Sequence, residues 1–559
     1  MEYLTTKVLA HGRALLLIAC TFLLSAFAQG QNRYFVYLTD KGASSNNFSL
    51  ANPGQYLSER ALARRTKESI AIDSTDIPVN EMYLQEIANT NAEVFFASKW
   101  LNGVLIQAND FIIGQVEQLP FVDSIRLVAN GTRLVTEQEV VTAPEVFNDP
   151  PEILGDSDIQ LLMLGADVMH ADSINGEGVQ IAVFDNGFTG INRFTTFQHA
   201  WENNQIIATK DFVENSGNVF QFGSHGTAVL STIGADYRND SVEFQGIANR
   251  ADFILCVTED NQAENTIEEY NWVFAAEYAD SIGVDVINSS LGYRTFDIDA
   301  HDYSFEDLDG NTSIISSAAE MSASKGIIVV TSAGNSGRRS SPGNLISHPG
   351  DADSILVVGS VDPDFTRSAF SSIGPTSDGR IKPDVAAFGN GTAVMRGNGD
   401  IERGSGTSFA SPLIAGFAAG IVQKFPEWTS QEVIAAIKAS GHQANAADSL
   451  LGYGVPNYTF ISDAPDRRIN VNDILEDKIT FYPNPFFGEK LFFITEGDFE
   501  EAIRIRILDP TGSYIYNEEF LPENLGQTIE IPINSVQQGV YYLFLQSGAT
   551  QRVVKLINF

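Results

Sequence analysis

The part of this 559-residue chain from about Ile159 to Ile461 predicts an α/β fold, a parallel sheet flanked by helices. Three observations carry that prediction. Gly178–Asp185 (GVQIAVFD), Ala251–Val257, Val284–Ser289, Gly326–Ser332 and Asp353–Val358 are short apolar runs without polar alternation, as expected of strands buried on both faces. Helical stretches separate these runs, which is the order that builds parallel strands through crossovers. Leu413–Val422 (LIAGFAAGIV) is apolar all round, so this helix belongs at the centre of the body.

The flanks read differently. Arg33–Thr39 alternates like a strand and Ser58–Glu68 reads as a charged helix. Then come a helix over Asn80–Asn89, strands over Ala92–Ala97 and Gly103–Ala108, a helix over Asp110–Leu119 and a strand over Val122–Val128. Without the charged helix this is the βαββαβ order of a small ferredoxin-like sandwich. Leu134–Asp158, acidic and broken by Pro144, Pro150 and Pro151, reads as an exposed linker. A second acidic linker, Asp463–Lys478, leads to strands at Leu491–Ile494, Ile503–Leu508, Thr528–Ile531, Tyr541–Gln546 and Val553–Ile557, which predict a small β-sandwich.

The net charge of −37, from 71 acidic against 34 basic residues, argues against a nucleic-acid partner, because phosphate binding needs basic patches. Lys7 and Arg13 precede the apolar run Ala14–Phe27, and the small-residue end at Ala28 marks residues 1–28 as a secretory signal peptide. Leu17-Ile18-Ala19-Cys20 resembles a lipoprotein signal, but the apolar run continues through Leu24 where a polar tether would begin. Cys256 is then the only cysteine of the exported chain, and its apolar setting reads as a core thiol without a disulfide.

In parallel sheets functional groups gather past the carboxyl ends of the strands. Asp185 ends one strand, before Asn186 and Gly187. His225 lies between Gly223 and Gly226 at the start of a small-residue helix, and Asn335 follows Gly334 after the strand GIIVVTS. Ser408 sits in GSGTSFASP, where the run into the helix places Pro412 in a first turn. Each residue alone has a plain reading: Asp185 and Asn335 as turn formers, His225 as a loop histidine, Ser408 as a helix cap. Together they supply an acid, a base, an amide donor and a serine, the parts of acyl transfer. His225, with an ordinary pKa of about 6.5, can take the serine proton, and Asp185 can orient the imidazole. The Asn335 amide and the Ser408 N–H can meet an oxyanion at the helix N-terminus.

The order Asp, His, Asn, Ser, in the contexts DNG, HGT, SAGN and GTSFASP, resembles the subtilisin-like serine proteases. The resemblance implies catalytic Asp185, His225 and Ser408, an oxyanion donor at Asn335, and no required cofactor. It implies substrate contacts at Ser290-Leu291-Gly292, an edge segment for an extended peptide, and at Ala333-Gly334, a wall of the primary specificity pocket. Asn186 stands where the family usually has Ser or Thr, and Ala228-Val229-Leu230 where it has His-Val-Ala. Residues 29–145 fall where such proteases carry a propeptide that aids folding and acts as an intramolecular inhibitor. Residues 146–158 and 462–478 are then linkers, and 159–461 the catalytic domain acting on protein or peptide substrates.

Phe481-Tyr482-Pro483-Asn484-Pro485-Phe486, Asp509-Pro510-Thr511-Gly512, Gly539-Val540-Tyr541 and Lys555 resemble the sorting domain of type IX secretion substrates. That resemblance assigns 479–559 to recognition by the type IX machinery and implies export to the medium or the cell surface. Asp307-Leu308-Asp309-Gly310-Asn311 has the texture of a calcium loop, which the family would allow, but lacks the closing bidentate Glu and reads better as an acidic surface loop. The alternative from another class is an inactive fold of this family serving as a surface adhesin.

Overall fold

The computed structural model describes residues 31–42, 46–131, 146–239, 242–260, 263–462 and, farther on, 479–482, 490–495, 502–508, 514–521, 528–532, 539–547 and 550–558. The signal peptide, residues 132–145 of the N-terminal part, residues 463–478 of the second linker and the sorting motifs at 483–486 and 509–512 lie outside the described residues, whereas 146–158 is described and is pinned by the bridges Asn148–Phe194 and Ile153–Ile401. The chain divides into two compact units. One runs as far as Asn52 and adds Asp73–Thr136 and Asn265–Ile267; the other holds Pro53–Ile72, Glu137–Glu264 and Glu268–Phe559.

The first unit is a four-stranded antiparallel sheet of β1 (Asn32–Leu38), β2 (Glu93–Ser98), β3 (Gly103–Ala108) and β4 (Val122–Ala129), in the order β2-β3-β1-β4. Helices Glu81–Ala88 and Asp110–Val116 begin at Asn80 and Asn109, whose side chains accept the N–H of Met82 and Ile112. Ile87, Ile112 and Val116 pack with Val36, Val104 and Ile106 in its core. This is the ferredoxin-like sandwich. The charged helix, Glu59–Lys67, forms too, but in the other unit.

The second unit is built on a seven-stranded parallel sheet. Its strands are β5 (Gln180–Asp185), β6 (Ile206–Asp211), β9 (Asp252–Val257), β10 (Val286–Ser289), β11 (Ile328–Ser332), β12 (Leu356–Val361) and β13 (Val385–Phe388), ordered β13-β12-β11-β10-β5-β9-β6. The short ribbons β7–β8 (Asp236–Arg238, Glu243–Gln245) and β14–β15 (Asn390–Met395, Ile401–Ser405) are antiparallel. Sequence reasoning misses both edge strands. Ile206–Asp211 (IIATKD) ends polar and is only half-buried, and Val385–Phe388 has four residues between loops. Cys256 is buried in β9, and burial pushes its thiol pKa up, as for a core thiol.

Helix Thr407–Lys424 is buried from Phe409 through Ile421 and packs with Ile233, Phe253 and Val330 in the main core. The C-terminal strands β16 (Ile479–Tyr482), β17 (Lys490–Thr495), β18 (Ile503–Leu508), β19 (Tyr514–Phe520), β20 (Thr528–Pro532), β21 (Gly539–Ser547) and β22 (Thr550–Asn558) form two antiparallel sheets, β16-β17-β20 and β19-β18-β21-β22. Leu491, Phe493 and Ile531 of one sheet share a core with Ile505, Leu543 and Leu556 of the other, which makes the predicted sandwich. Leu508 and Phe544 join the main core instead, and Arg506 pairs with Asp167 at 2.6 Å.

Candidate functional site

Asp185 ends β5 fully buried, and His225 opens helix His225–Gly234. The loops that follow Asp185 and precede His225 touch backbone to backbone. A Cβ on Gly187, at φ +141°, would lie 2.5 Å from Gly223 N, and one on Gly226 would lie 2.6 Å from Gly187 O and 2.9 Å from Asp185 Cβ. Glycine at these positions allows the approach that puts His225 Nδ1 2.9 and 3.0 Å from the two Asp185 carboxylate oxygens. A carboxylate only accepts, so Nδ1 carries the proton and Nε2 of the neutral ring is left as the acceptor. Burial pulls the His225 pKa down, but the Asp185 charge and hydrogen bond outweigh it, and the net shift is upward.

Helix Thr407–Lys424 has Gly406 as N-cap and no side-chain cap of its own, so Ser408 is not capping it. Asn335, just beyond β11, reaches across instead: its Oδ1 accepts the Thr407 N–H at 2.9 Å and the Thr407 hydroxyl at 3.1 Å. The same hydroxyl accepts the Gly334 N–H at 3.2 Å. With Oδ1 committed, Asn335 turns Nδ2 towards Gly406. A Cβ built there would lie 3.7 Å from both Asn335 Nδ2 and Ser408 N and 3.8 Å from Ser408 Oγ, so these atoms surround one small space. The His225 ring lies 5.8 Å from that of Phe409, the residue after Ser408.

Pro412 is not in the first turn as expected. The helix begins at Thr407, so Pro412 lies inside it and cannot donate to the carbonyl four residues back, that of Ser408. Ser290 Oγ donates to that carbonyl at 2.9 Å, and Ser290 is itself held by Asn288 Nδ2 at 3.1 Å, whose Oδ1 accepts from Ser411 at 3.0 Å. The Ser290 side chain therefore supports the helix that carries Ser408.

A recess of about 520 Å³ is lined by Ser290, Leu291, Gly292, Gly334, Asn335 and Ser408. Gly292 and Gly334 leave room there: a Cβ would stand 2.2 Å from Ser347 Oγ at the first and 3.1 Å from Ser372 Oγ at the second. Ala333 is fully buried behind this wall. An adjoining recess of about 380 Å³ holds Asp185 and His225 with Glu259, Asp260 and Glu264. Burial, then the Glu268 and Glu264 carboxylates, pushes the Glu259 pKa well up, and the Tyr293 hydroxyl donates to it. The Asp307–Asn311 stretch turns its carboxylates onto local backbone: Asp309 Oδ1 accepts from Asn311 N and Thr312 N, each at 2.8 Å, and Asp307 from Ser304 N at 2.7 Å. Among the described residues no group of three or more His, Cys, Asp or Glu side chains is arranged to hold a metal.

The model of the Subtilase family matches residues 176–454. A Subtilisin of Bacillus pumilus is 30% identical over 270 residues, 48% of this chain and 85% of that protein. The chain belongs to the subtilase family. Subtilisin NAT of Bacillus subtilis subsp. natto is 31% identical over 270 residues, 48% of this chain, which spans 61% of that relative's length. Among solved structures, MycP1 from Mycobacterium smegmatis aligns at TM-score 0.44 and 20% identity, covering 59% of this chain and 90% of that one. Two more models flank the subtilase region in this chain: the Peptidase S8 propeptide domain, Bacteroidota, over residues 33–142, and the Secretion system C-terminal sorting domain over 480–558. The sorting domain implies export and a secreted or cell-surface location. Among the described residues no helix is long and apolar enough to cross a membrane.

In this subtilase the unusual Asn186 has a definite place. Its Oδ1 accepts the His225 N–H at 3.1 Å while its own N–H bonds Asp185 Oδ1 at 2.8 Å, so it ties together the two loops that bring the acid and the imidazole together. The Ala228-Val229-Leu230 departure is fully buried core. Sequence reasoning marks Thr407, with Ser405, as a turn residue or a support for the site without naming its partner, and assigns no task to Asn288 or Glu259. A threonine inside a Gly-Thr-Ser turn, or a glutamate two residues past a strand, carries no local signal of a partner more than thirty residues away.

Proposed function

We propose that this chain is a secreted serine endopeptidase that hydrolyses peptide bonds in protein or peptide substrates through an acyl-enzyme. Ser408 Oγ is the nucleophile, His225 Nε2 the base that takes its proton and later delivers it to the leaving amine, and Asp185 the group that fixes the tautomer and stabilises the imidazolium. Asn335 Nδ2 and Ser408 N–H receive the oxyanion, helped by the positive end of the long helix. The observation that carries the reading is the convergence at Gly406, with Asn335 Nδ2, Ser408 N and Ser408 Oγ within 3.8 Å of one point. An adhesin would have no use for it.

Ser290-Leu291-Gly292 and Gly334 line the substrate cleft in this reading, with the buried Ala333 supporting Gly334. Residues 29–145 act as the precursor's own inhibitor, self-cleavage falls in the acidic stretch Leu134–Asp158, and 479–559 engage the type IX machinery. The chemistry needs no cofactor, and any calcium would be structural.

Labelling of processed protein with a fluorophosphonate, followed by peptide mapping, tests this. The adduct is expected on Ser408, and a folded, propeptide-free protein left unlabelled there would sink the reading. The Ser408→Ala precursor is expected to stay unprocessed.

A further inference from the structure

The charged helix Glu59–Lys67 comes from the N-terminal region but lies in the body of the parallel sheet. Pro53–Ile72 belongs to that unit, while the chain before Pro53 and after Ile72 belongs to the other. Arg64 and Arg65 both donate to Asp280 Oδ1, at 2.6 and 2.8 Å, and all three side chains are almost wholly buried. Arg64 also donates to Lys325 O and Asp280 O, each at 3.1 Å, and to Val284 O; Arg65 donates to Lys325 O as well. Arg60 reaches Gly283 O at 3.1 Å, Gly178 O at 2.9 Å and the Asp285 carboxylate. At the far end Glu68 accepts the Ser430 N–H at 2.7 Å, where helix Ser430–Ala439 presents its positive end.

The docking surface is shaped to this segment. A Cβ on Gly283, at φ +102°, would lie 2.6 Å from Ala61 N, and one on Gly326, at φ +84°, 2.5 Å from Glu68 Cγ. Gly178, Gly283 and Gly326 precede β5, β10 and β11, whereas Asp185, Ser290 and Asn335 lie at or past their other ends. The helix thus closes the amino-terminal edge of the sheet, about 15–20 Å of strand away from the triad edge. Its departure would strip Asp280 of both guanidinium partners and remove the guanidinium bonds to Lys325 O, Val284 O and Asp280 O, which is costly in a low dielectric. A segment that only blocks a cleft has no need of such contacts at the opposite edge.

We propose that residues 53–72 are a permanent clamp, retained in the protease body after the rest of the N-terminal region has been cut away. This rests on the reading that the N-terminal region is removed by proteolysis. Cutting the 146–158 linker alone then leaves the inhibitory unit tethered through the clamp, and its release requires further cuts on both sides, before Pro53 and after Ile72.

The test uses the full-length Ser408→Ala precursor, with site-specific protease sites inserted after Asn52, after Ile72 and in the 146–158 linker, so that cutting does not depend on the protein's own activity. After native cutting and gel filtration in molar sodium chloride, the 53–72 peptide is expected to elute with the body at one copy each, because buried pairs escape salt screening. An Arg64→Ala/Arg65→Ala version is expected to lose it. Elution of the unaltered peptide as a free species under native conditions overturns the proposal, whether or not the double variant folds. For the protein with Ser408 intact, mass spectrometry of fluorophosphonate-labelled, processed enzyme is expected to find 53–72 present, and labelled enzyme lacking it also overturns the clamp. A retained peptide in protein that never labels would sink the protease reading and support the clamp.

Discussion

The Thr407 hydroxyl accepts the Gly334 N–H and donates to Asn335 Oδ1, locking the turn beyond β11 to the start of the helix that carries Ser408. The amide of Asn335 is thereby held with Nδ2 towards the space at Gly406, and its orientation does not depend on bound substrate.

Thr407→Val keeps the shape and removes the hydroxyl. Loss of one orienting hydrogen bond of about 1–1.5 kcal/mol should lower kcat roughly tenfold with little change in KM. Steady-state peptide hydrolysis checks this; an unchanged kcat would remove Thr407 from the catalytic apparatus.

In the proposed mechanism the upward shift of His225 would set the acid limb of the pH profile. With neutral imidazole as the proposed base, kcat/KM should rise with pH through a value above the ordinary 6.5 or so. In Asp185→Asn, burial and the Arg396 charge act without the carboxylate to oppose them and the limb should move to lower pH, with kcat down by about 10⁴. The stability linkage has a fixed sign: a folded pKa above the unfolded one stabilises fully below the unfolded value and loses that contribution as pH rises through the folded value. Melting in the Asp185→Asn protein should therefore fall less than in the unaltered protein across that window.

Ser290 and Pro412 are predicted to be energetically coupled. Ser290→Ala leaves the Ser408 carbonyl without a donor and should cost roughly 1–3 kcal/mol. Pro412→Ala supplies an N–H to the same carbonyl, so the double variant should be more stable than the sum of the singles. Additive losses in denaturant titrations would show that the proline is not what makes Ser290 necessary.

Gly334→Ala places a methyl 3.1 Å from Ser372 Oγ and 3.2 Å from Ser347 Oγ, at a backbone φ of +101° that disfavours a side chain. Activity on peptides with large residues beside the scissile bond should fall more than activity on those with small ones, and stability should drop by about 1–3 kcal/mol. A uniform loss across side-chain sizes would mean that Gly334 does not border the specificity pocket.

Strand identity was legible wherever burial on both faces made a continuous apolar run, as in β5, β9 and β11. It was not legible in the edge strands, because β6 is half-buried and ends polar and β13, though buried, is only four residues long. The same division runs through the site. Asp185, His225, Asn335 and Ser408 stand out because each sits among glycines at the end of a strand or the start of a helix. Thr407, Asn288 and Asn186 act through partners that only folding brings near.

By itself the sequence determined the parallel-sheet class, the flanking ferredoxin-like and β-sandwich regions and the residue types gathered at the carboxyl edge, because periodicity, glycine placement and composition are local properties. Only the tertiary structure decided which carbonyl Pro412 leaves open, which residue caps the helix of Ser408 and where the Glu59–Lys67 helix belongs. Each of these is settled by hydrogen bonds between residues far apart in the chain, as when Arg64 finds Asp280 in the interior of the unit they share.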